Sequence, residues 1–367
     1  MIIKNISILS FKDLSMQENM DLYIKDGKIE TISDNSNDSK SDLSQFNDVV
    51  IDGTAKYIIP GLINAHAHTA MTLLRGVAED VNVDDWFNKH VWIYEQSLTP
   101  DDVYIGTLLG AAEMLLSGVT AVADHYFAMD RAFDAYLKSG MRANLAWAVF
   151  GAGPESEKQF ETAMKFTREY SDKNSRIMVS LGPHSPYICP EDFLMRVASE
   201  SEKFNFPMHI HVSETETQVI NSLKATGKTP IQVLDKTGVL KDGTILAHAF
   251  WATDDDLLLI KKRGAGIAHC AKSYMKFGDI NDLLPRAVGA GVKIAFGSDG
   301  LASNNTVDIF ETARHAALLA KCASHNPESA KINELLPILT NGDVIGLKDY
   351  GEVKEGALAD LVIIDPL

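Results

Sequence analysis

The sequence predicts an α/β protein: a (β/α)8, TIM-like barrel with a small β-sandwich domain built from the N- and C-terminal segments. Three observations carry this reading. From Tyr57 onward, eight short apolar runs alternate with longer segments of helical period. Before them, residues 1–56 pattern as strands and turns. Near the C-terminus, ALADLVIID reads as one more strand that can return to the N-terminal β-zone. The expected division is a small β-domain from 1–56 plus 353–367 and a barrel from 57–352.

The elements follow in order. Ile2–Leu9 alternates apolar with polar residues as a strand does. DLYIKDGKIETI reads as a hairpin turning at Asp26-Gly27, because a two-residue turn of this kind needs left-handed backbone at both positions. The polar stretch from Ser33 to Gln45 is expected to be a mobile surface loop, and Val49–Ile51 a short strand. The barrel runs are Ile58–Ile63, Val119–Ala123, Ala143–Val149, Ile177–Leu181, Met208–Val212, Thr244–Ala247, Ala265–Ala268 and Val292–Phe296. Helices are expected over Asp101–Leu116, Arg131–Lys138, Glu155–Tyr170, Glu191–Phe204, Asp254–Lys262 and Asp308–Cys322, with Pro100 and Pro190 as start signals for two of them. Eight β/α units favour a closed barrel, and a doubly wound open sheet is the structural alternative.

Composition narrows the class. The 367 residues carry a formal charge of −16, which disfavours nucleic acid and anionic membrane surfaces as partners. Cys189, Cys270 and Cys322 are odd in number and far apart, so neither a disulfide framework nor a thiolate zinc site is expected. No secretory signal is visible, and no apolar run reaches the roughly 18 residues that a membrane span needs. The protein reads as cytoplasmic, and a homo-oligomer is compatible with the sequence.

Polar residues collect where barrel enzymes keep their chemistry, at the C-terminal ends of the strands. Six of the eleven histidines sit there: His66, His68, His184, His211, His248 and His269. In His66-Ala67-His68 the period of two points both imidazoles the same way, so they can reach one ion together. His211 and Asp299, from other strands, offer the further imidazole and carboxylate that zinc or iron accepts. His209 lies two residues before His211 and faces the same side. His211 is the preferred ligand, being nearer the strand end and Glu214, and His209 reads as a partner in the barrel wall. His269 reads as structural or supporting, and His90, His125, His315 and His325 have no assignment.

The strings PGLINAHAHTAMTLLRGVAED, GPHSPYICPE, HIHVSET, FGSDGLASNNTVDIFE and GEVKEGALADLVIID are spread along the chain from Pro60 to Asp365. In them the chain resembles the amidohydrolase superfamily, in the branch of S-adenosylhomocysteine/5′-methylthioadenosine deaminases and chlorohydrolases. The resemblance implies one divalent metal, Zn2+ or alternatively Fe2+, held by His66, His68, His211 and Asp299. It implies Glu214 as proton shuttle, His248 as the group orienting the reactants, His184 as a purine contact and Glu95 as a partner of the ribose hydroxyls. Two-metal members carry a bridging lysine at the end of the fourth strand, and this chain has Leu181-Gly182-Pro183 there. The implied reaction is hydrolytic deamination of an adenine nucleoside: water activated by the metal attacks C6 and ammonia leaves. The competing readings are a guanine, cytosine or triazine amino- or chlorohydrolase of the same superfamily, and a non-catalytic metal-stabilised binding protein, against which Glu214 speaks.

The chain departs from the pattern in three places. Where relatives read His-Asn-Pro-x-Ser-Asn after the seventh strand, it reads HCAKSYMKFG. Relatives run on for several dozen residues beyond ALADLVIID, so the small β-domain is expected to lack strands that they have. Members that accept S-adenosylhomocysteine commonly place an arginine where this chain has Trp147 in GMRANLAWAVFGAGPE. A tryptophan suits an uncharged methylthio group better than a carboxylate, which predicts a preference for 5′-methylthioadenosine or adenosine.

Overall fold

A computed structural model describes residues 1–34 and 49–366. The first sheet has six strands: β1 (Ile2–Leu9), β2 (Met16–Lys25), β3 (Lys28–Asp34), β4 (Val50–Asp52), β5 (Tyr57–Pro60) and, from the far end of the chain, a closing strand over Leu361–Ile364. The β2–β3 hairpin turns at Asp26 and Gly27, both with positive φ, in register Lys25↔Lys28 as its sequence requires. Of the loop expected over Ser33–Gln45, Ser33 and Asp34 instead end β3, and the remainder lies outside the described residues. The buried face of this sheet carries Ile3, Ile6, Ile8, Leu22 and Ile58, against which Val353, Leu361 and Ile363 pack.

One expectation needs correction here. The run Ile58–Ile63 is not one barrel strand. Gly61 N–H donates to Asp360 O in the small sheet, while Leu62 N–H already donates to Gly118 O in the barrel. The chain changes sheets at Pro60-Gly61, where a side chain on Gly61 would strike Thr120. Tyr57–Pro60 therefore belongs with the N-terminal strands. Among the described residues the terminal segments build one hydrogen-bonded sheet, in the order of the closing strand, β5, β1, β2, β3, with β4 beside β1.

The second sheet is parallel and runs in chain order through β6 (Leu62–His68), β7 (Val119–Tyr126), β8 (Arg142–Val149), β9 (Ile177–Pro183), β10 (Met208–Val212), β11 (Thr244–His248), β12 (Gly266–His269), β13 (Lys293–Phe296) and β14 (Asp299–Gly300). Only Gly297 and Ser298 separate β13, at one edge, from β14, which pairs with β6 at the other. The two edges are halves of a single eighth strand, so the sheet curls round into a TIM-like barrel. With the small sheet's closing strand numbered last, β15 pairs antiparallel with β5, Leu361 opposite Pro60.

Side chains bind the seam as well. Asn64 donates through Nδ2 to Ser298 Oγ and accepts from Ser298 N–H, both at 2.8 Å. Inside, Ile63, Ala65, Ala121, Ala123, Ile245, Ala268 and Ala295 touch one another across non-adjacent strands, which only an interior allows. Val344, Ile345 and Leu347 plug the end where the strands begin. The opposite end, where the strands finish, stays open to ligands.

The helices outside start where their sequences say they should. Pro100–Leu116 opens on Thr99 and Asp102 in a reciprocal cap with Pro100 in the first turn. Asp254–Arg263 does the same with Thr253 and Asp256. No helix among the described residues is long and apolar enough to cross a membrane.

Candidate metal centre and substrate cavity

At the C-terminal ends of the strands, β6 presents His66 and His68, β10 presents His211, β11 presents His248 and β14 presents Asp299. The β6–β7 register shifts between Asn64 and Ala67, beside the His66-Ala67-His68 end of the strand. Three of the strand ends carry left-handed backbone at residues that are not glycine: Ser213, His248 with Ala249, and Asp299, with φ of 48°, 72°, 48° and 61°. Such backbone costs on the order of 1–3 kcal/mol per residue and persists where a site over-determines it.

The donor atoms converge. Asp299 Oδ1 lies 3.4 Å from His66 Nε2 and 3.3 Å from His68 Nε2, and His211 Nε2 lies 3.3 Å from His68 Nε2. One candidate ligand group comprises His66, His68 and His211, a second His66, His248 and Asp299. His66 Nε2 is buried and has no hydrogen-bond partner among the described residues. A buried ring nitrogen aimed at three like donors and a carboxylate fits a divalent cation, whose coordination satisfies it.

Each imidazole is oriented from behind. His68 Nδ1 meets His125 O at 2.5 Å, His211 Nδ1 meets His184 O at 3.0 Å, and His66 Nδ1 meets His209 Nε2 at 2.8 Å. Asp299 Oδ2 accepts from Ser273 Oγ at 2.7 Å and Ser303 Oγ at 2.9 Å, which leaves Oδ1 for the histidine side. Ser273 belongs to the divergent HCAKSYMKFG segment, so part of that segment holds the carboxylate in place.

Burial keeps most of the clustered imidazoles neutral, with His68 beside the carboxylate as the exception. Burial pushes His66 and His184 down to about 3. Burial acts the same way on His68, but the adjacent Asp299 carboxylate outweighs it and raises His68 to about 9. Burial alone would raise Asp299; the adjacent His66 and His68 imidazoles hold it well below the usual carboxylate range. Asp299 thus stays ionised and pairs with a protonated His68, and a bound divalent cation would take the place of that proton.

A cavity of about 910 Å³ opens over these groups. Glu214 lines it, its Oε1 3.8 Å from His248 Nε2 and its Oε2 accepting from Tyr187 Oη at 3.2 Å. His184 stacks on Phe150, ring centres 5.1 Å apart. Glu95 accepts a 2.6 Å hydrogen bond from Tyr126 Oη, and burial raises its carboxyl above the usual range. Trp147 lines the same cavity and packs at 5.4 Å on Phe166 of the helix Ser156–Tyr170, so it both packs and lines.

All nine residues singled out in the sequence therefore lie at this end of the barrel. His269 does not join them: it faces Tyr274, Phe250 and Phe296. Sequence reasoning missed Ser273, Ser303, Tyr126 and Tyr187. For Ser303 a signal existed, since it follows Asp299 by four residues at the start of a helix; for the tyrosines there was none.

Comparison with known proteins agrees with this geometry. Residues 57–367 match the family described as "Amidohydrolase family". The chain is 38% identical over 372 residues to the 5-methylthioadenosine/S-adenosylhomocysteine deaminase of Pyrococcus furiosus, covering 100% of this chain and 86% of that protein. It is 35% identical to the protein of the same name from Halothermothrix orenii, over 99% of this chain and 85% of the relative. Among solved structures, an adenosine deaminase from Xanthomonas campestris with bound zinc superposes with a TM-score of 0.92 at 28% identity, over 99% of this chain and 84% of that one. An atrazine chlorohydrolase from Arthrobacter aurescens, at 24% identity over 99% and 86% of the two chains, has the same fold with a TM-score of 0.89. With the match spanning the whole barrel and the relatives aligned over nearly all of this chain, the chain belongs to the amidohydrolase family.

Proposed function

We propose that this amidohydrolase is a zinc-dependent deaminase of adenine nucleosides that prefers 5′-methylthioadenosine and adenosine to S-adenosylhomocysteine. The observation that carries the reading is the cluster of His66, His68, His211 and Asp299 at the floor of a cavity into which Glu214 projects beside His248. The relatives named for deamination of 5-methylthioadenosine and S-adenosylhomocysteine support the adenine nucleoside class, not the preference within it.

His66, His68, His211 and Asp299 would hold the ion, which when bound supplies a Lewis acid able to bring the pKa of water down to about 7. The chain's own groups do the rest. His248 holds the attacking water against C6 of the adenine ring, and Asp299 takes its first proton. Glu214 protonates ring N1 and then carries a proton to the exocyclic nitrogen. The C6–O bond forms, the C6–N bond breaks, and the two water protons end on N1 and on departing ammonia. His184, neutral through burial, packs on the purine, and Glu95, steadied by Tyr126, accepts from the ribose hydroxyls.

The 5′ preference rests on the charges of the cavity wall. Asp84, Glu95, Glu191 and Glu214 line it together with Phe87, Trp92, Trp147 and Phe150, and no lysine or arginine does among the described residues. An uncharged thioether loses little on entering such a wall, whereas the carboxylate of S-adenosylhomocysteine would be desolvated without a partner.

The deciding experiment measures ammonia release by the zinc-loaded enzyme from adenosine, 5′-methylthioadenosine, S-adenosylhomocysteine, guanine and cytosine, and chloride release from a chlorotriazine. Turnover of guanine, cytosine or the triazine, with no adenine nucleoside deaminated, would overturn the proposal.

A further inference from the structure

The three clustered imidazoles are oriented in two different ways. His68 and His211 present Nδ1 to backbone carbonyls, those of His125 and His184. A carbonyl only accepts, so both rings carry a proton on Nδ1, and the neutral form of each leaves Nε2 bare for a metal. His66 presents Nδ1 to another imidazole, Nε2 of His209, at 2.8 Å. That pair has two arrangements. If His209 donates, the proton of His66 sits on Nε2, pointing at Asp299 and the other ligand nitrogens, and the ring cannot ligate. If His66 donates, its Nε2 lone pair is free, and His209 carries its own proton on Nδ1.

We propose that His209 is the positioning residue that sets the tautomer of His66 for metal binding, rather than a histidine that merely fills the barrel wall. The proposal rests on the metal-centre reading above. His209 is fully buried, on the strand that also supplies His211, so its ring is fixed by the same β10 backbone that positions a ligand. Both outer nitrogens of the pair, His66 Nε2 and His209 Nδ1, lack a hydrogen-bond partner among the described residues. Coordination satisfies the first only when His66 donates inward. His209 is also the one side chain among the three acceptors behind the ligands, hence the one whose replacement can separate orientation from ligation.

The test compares His209→Leu with His209→Gln. Leucine fills similar volume but accepts no hydrogen bond; the glutamine carbonyl oxygen reaches close to where Nε2 lies and can only favour the donating form of His66. Zn2+ affinity is measured by competition with a chromophoric chelator, with thermal unfolding of the metal-free proteins alongside. His209→Leu is expected to bind Zn2+ about 10- to 100-fold more weakly, the usual effect of losing a group that orients a ligand, and His209→Gln to bind close to wild type. A leucine variant with wild-type affinity would overturn the proposal, as would a glutamine variant as weak as the leucine one. Should His209→Leu fail to fold, His209→Met makes the same comparison with a more adaptable chain. A wild-type protein that takes up no Zn2+ would instead refute the metal centre itself, a result distinct from either failure.

Discussion

Asn64 offers the sharpest test of how barrel closure and the metal centre are coupled. Its side chain is completely buried and spans the seam, donating to Ser298 Oγ and accepting from Ser298 N–H, each at 2.8 Å. It stands two residues before His66, and Ser298 stands immediately before Asp299. Asn64→Ala removes one neutral hydrogen bond, a loss of about 1 kcal/mol, and strands the Ser298 amide, a further cost of about 1–3 kcal/mol. The sum is about 2–4 kcal/mol. An unfolding entropy of about 2.1 cal/mol/K per residue over 367 residues is about 0.8 kcal/mol/K. The expected fall in Tm is therefore about 3–5 °C. The assay is thermal unfolding in the presence of a chelator, so that loss of metal does not contribute, followed by Zn2+ titration of the folded variant. Affinity should fall as well, because His66 and Asp299 are no longer locked to each other across the seam. A variant that melts within about 1 °C of wild type, against the shift that the hydrogen-bond costs require, would show that the backbone pairing of β14 with β6 closes the barrel unaided.

Elemental analysis should find about one divalent metal per chain, and His66→Ala or Asp299→Ala should lose both metal and activity; a second tightly held ion would contradict the single-ion site. Glu214→Gln keeps shape and hydrogen bonding but cannot shuttle a proton, so metal content should stay near wild type while kcat falls by about 10²-fold or more; normal turnover would remove Glu214 from the chemistry. If Glu95 accepts from the ribose hydroxyls, 2′-deoxyadenosine should be the poorer substrate by about 1–3 kcal/mol in kcat/KM, and Glu95→Ala should erase most of the difference. Trp147→Arg should raise kcat/KM for S-adenosylhomocysteine relative to 5′-methylthioadenosine; a wild-type enzyme that already favours S-adenosylhomocysteine would show that its carboxylate is met elsewhere.

Much of the protein was determined by local sequence. Apolar runs bounded by helix caps such as Thr99-Pro100 and Thr253 specify strand and helix nearly to the residue, because capping and periodicity are short-range effects. The same runs end in His66-Ala67-His68, His211, His248 and Asp299, so a barrel, once assumed, brings these side chains to one rim. What only the tertiary structure decided are choices between partners far apart in the chain. The run Ile58–Ile63 is uniformly apolar, and nothing in it says that Pro60 will pair with Leu361 while Leu62 turns to Gly118. Likewise the spacing of His209 and His211 makes them equivalent on one face of β10. Their different fates follow from what approaches each ring: His66 Nδ1 meets the first, and the second lies among the ligands beside His68. Ser273 and Ser303 are ordinary serines in sequence, and they acquire a role because folding sets both hydroxyls on the same oxygen of Asp299. A carboxylate buried at the end of a strand needs such donors wherever they come from, and which residues supply them depends on three-dimensional proximity that no local pattern encodes.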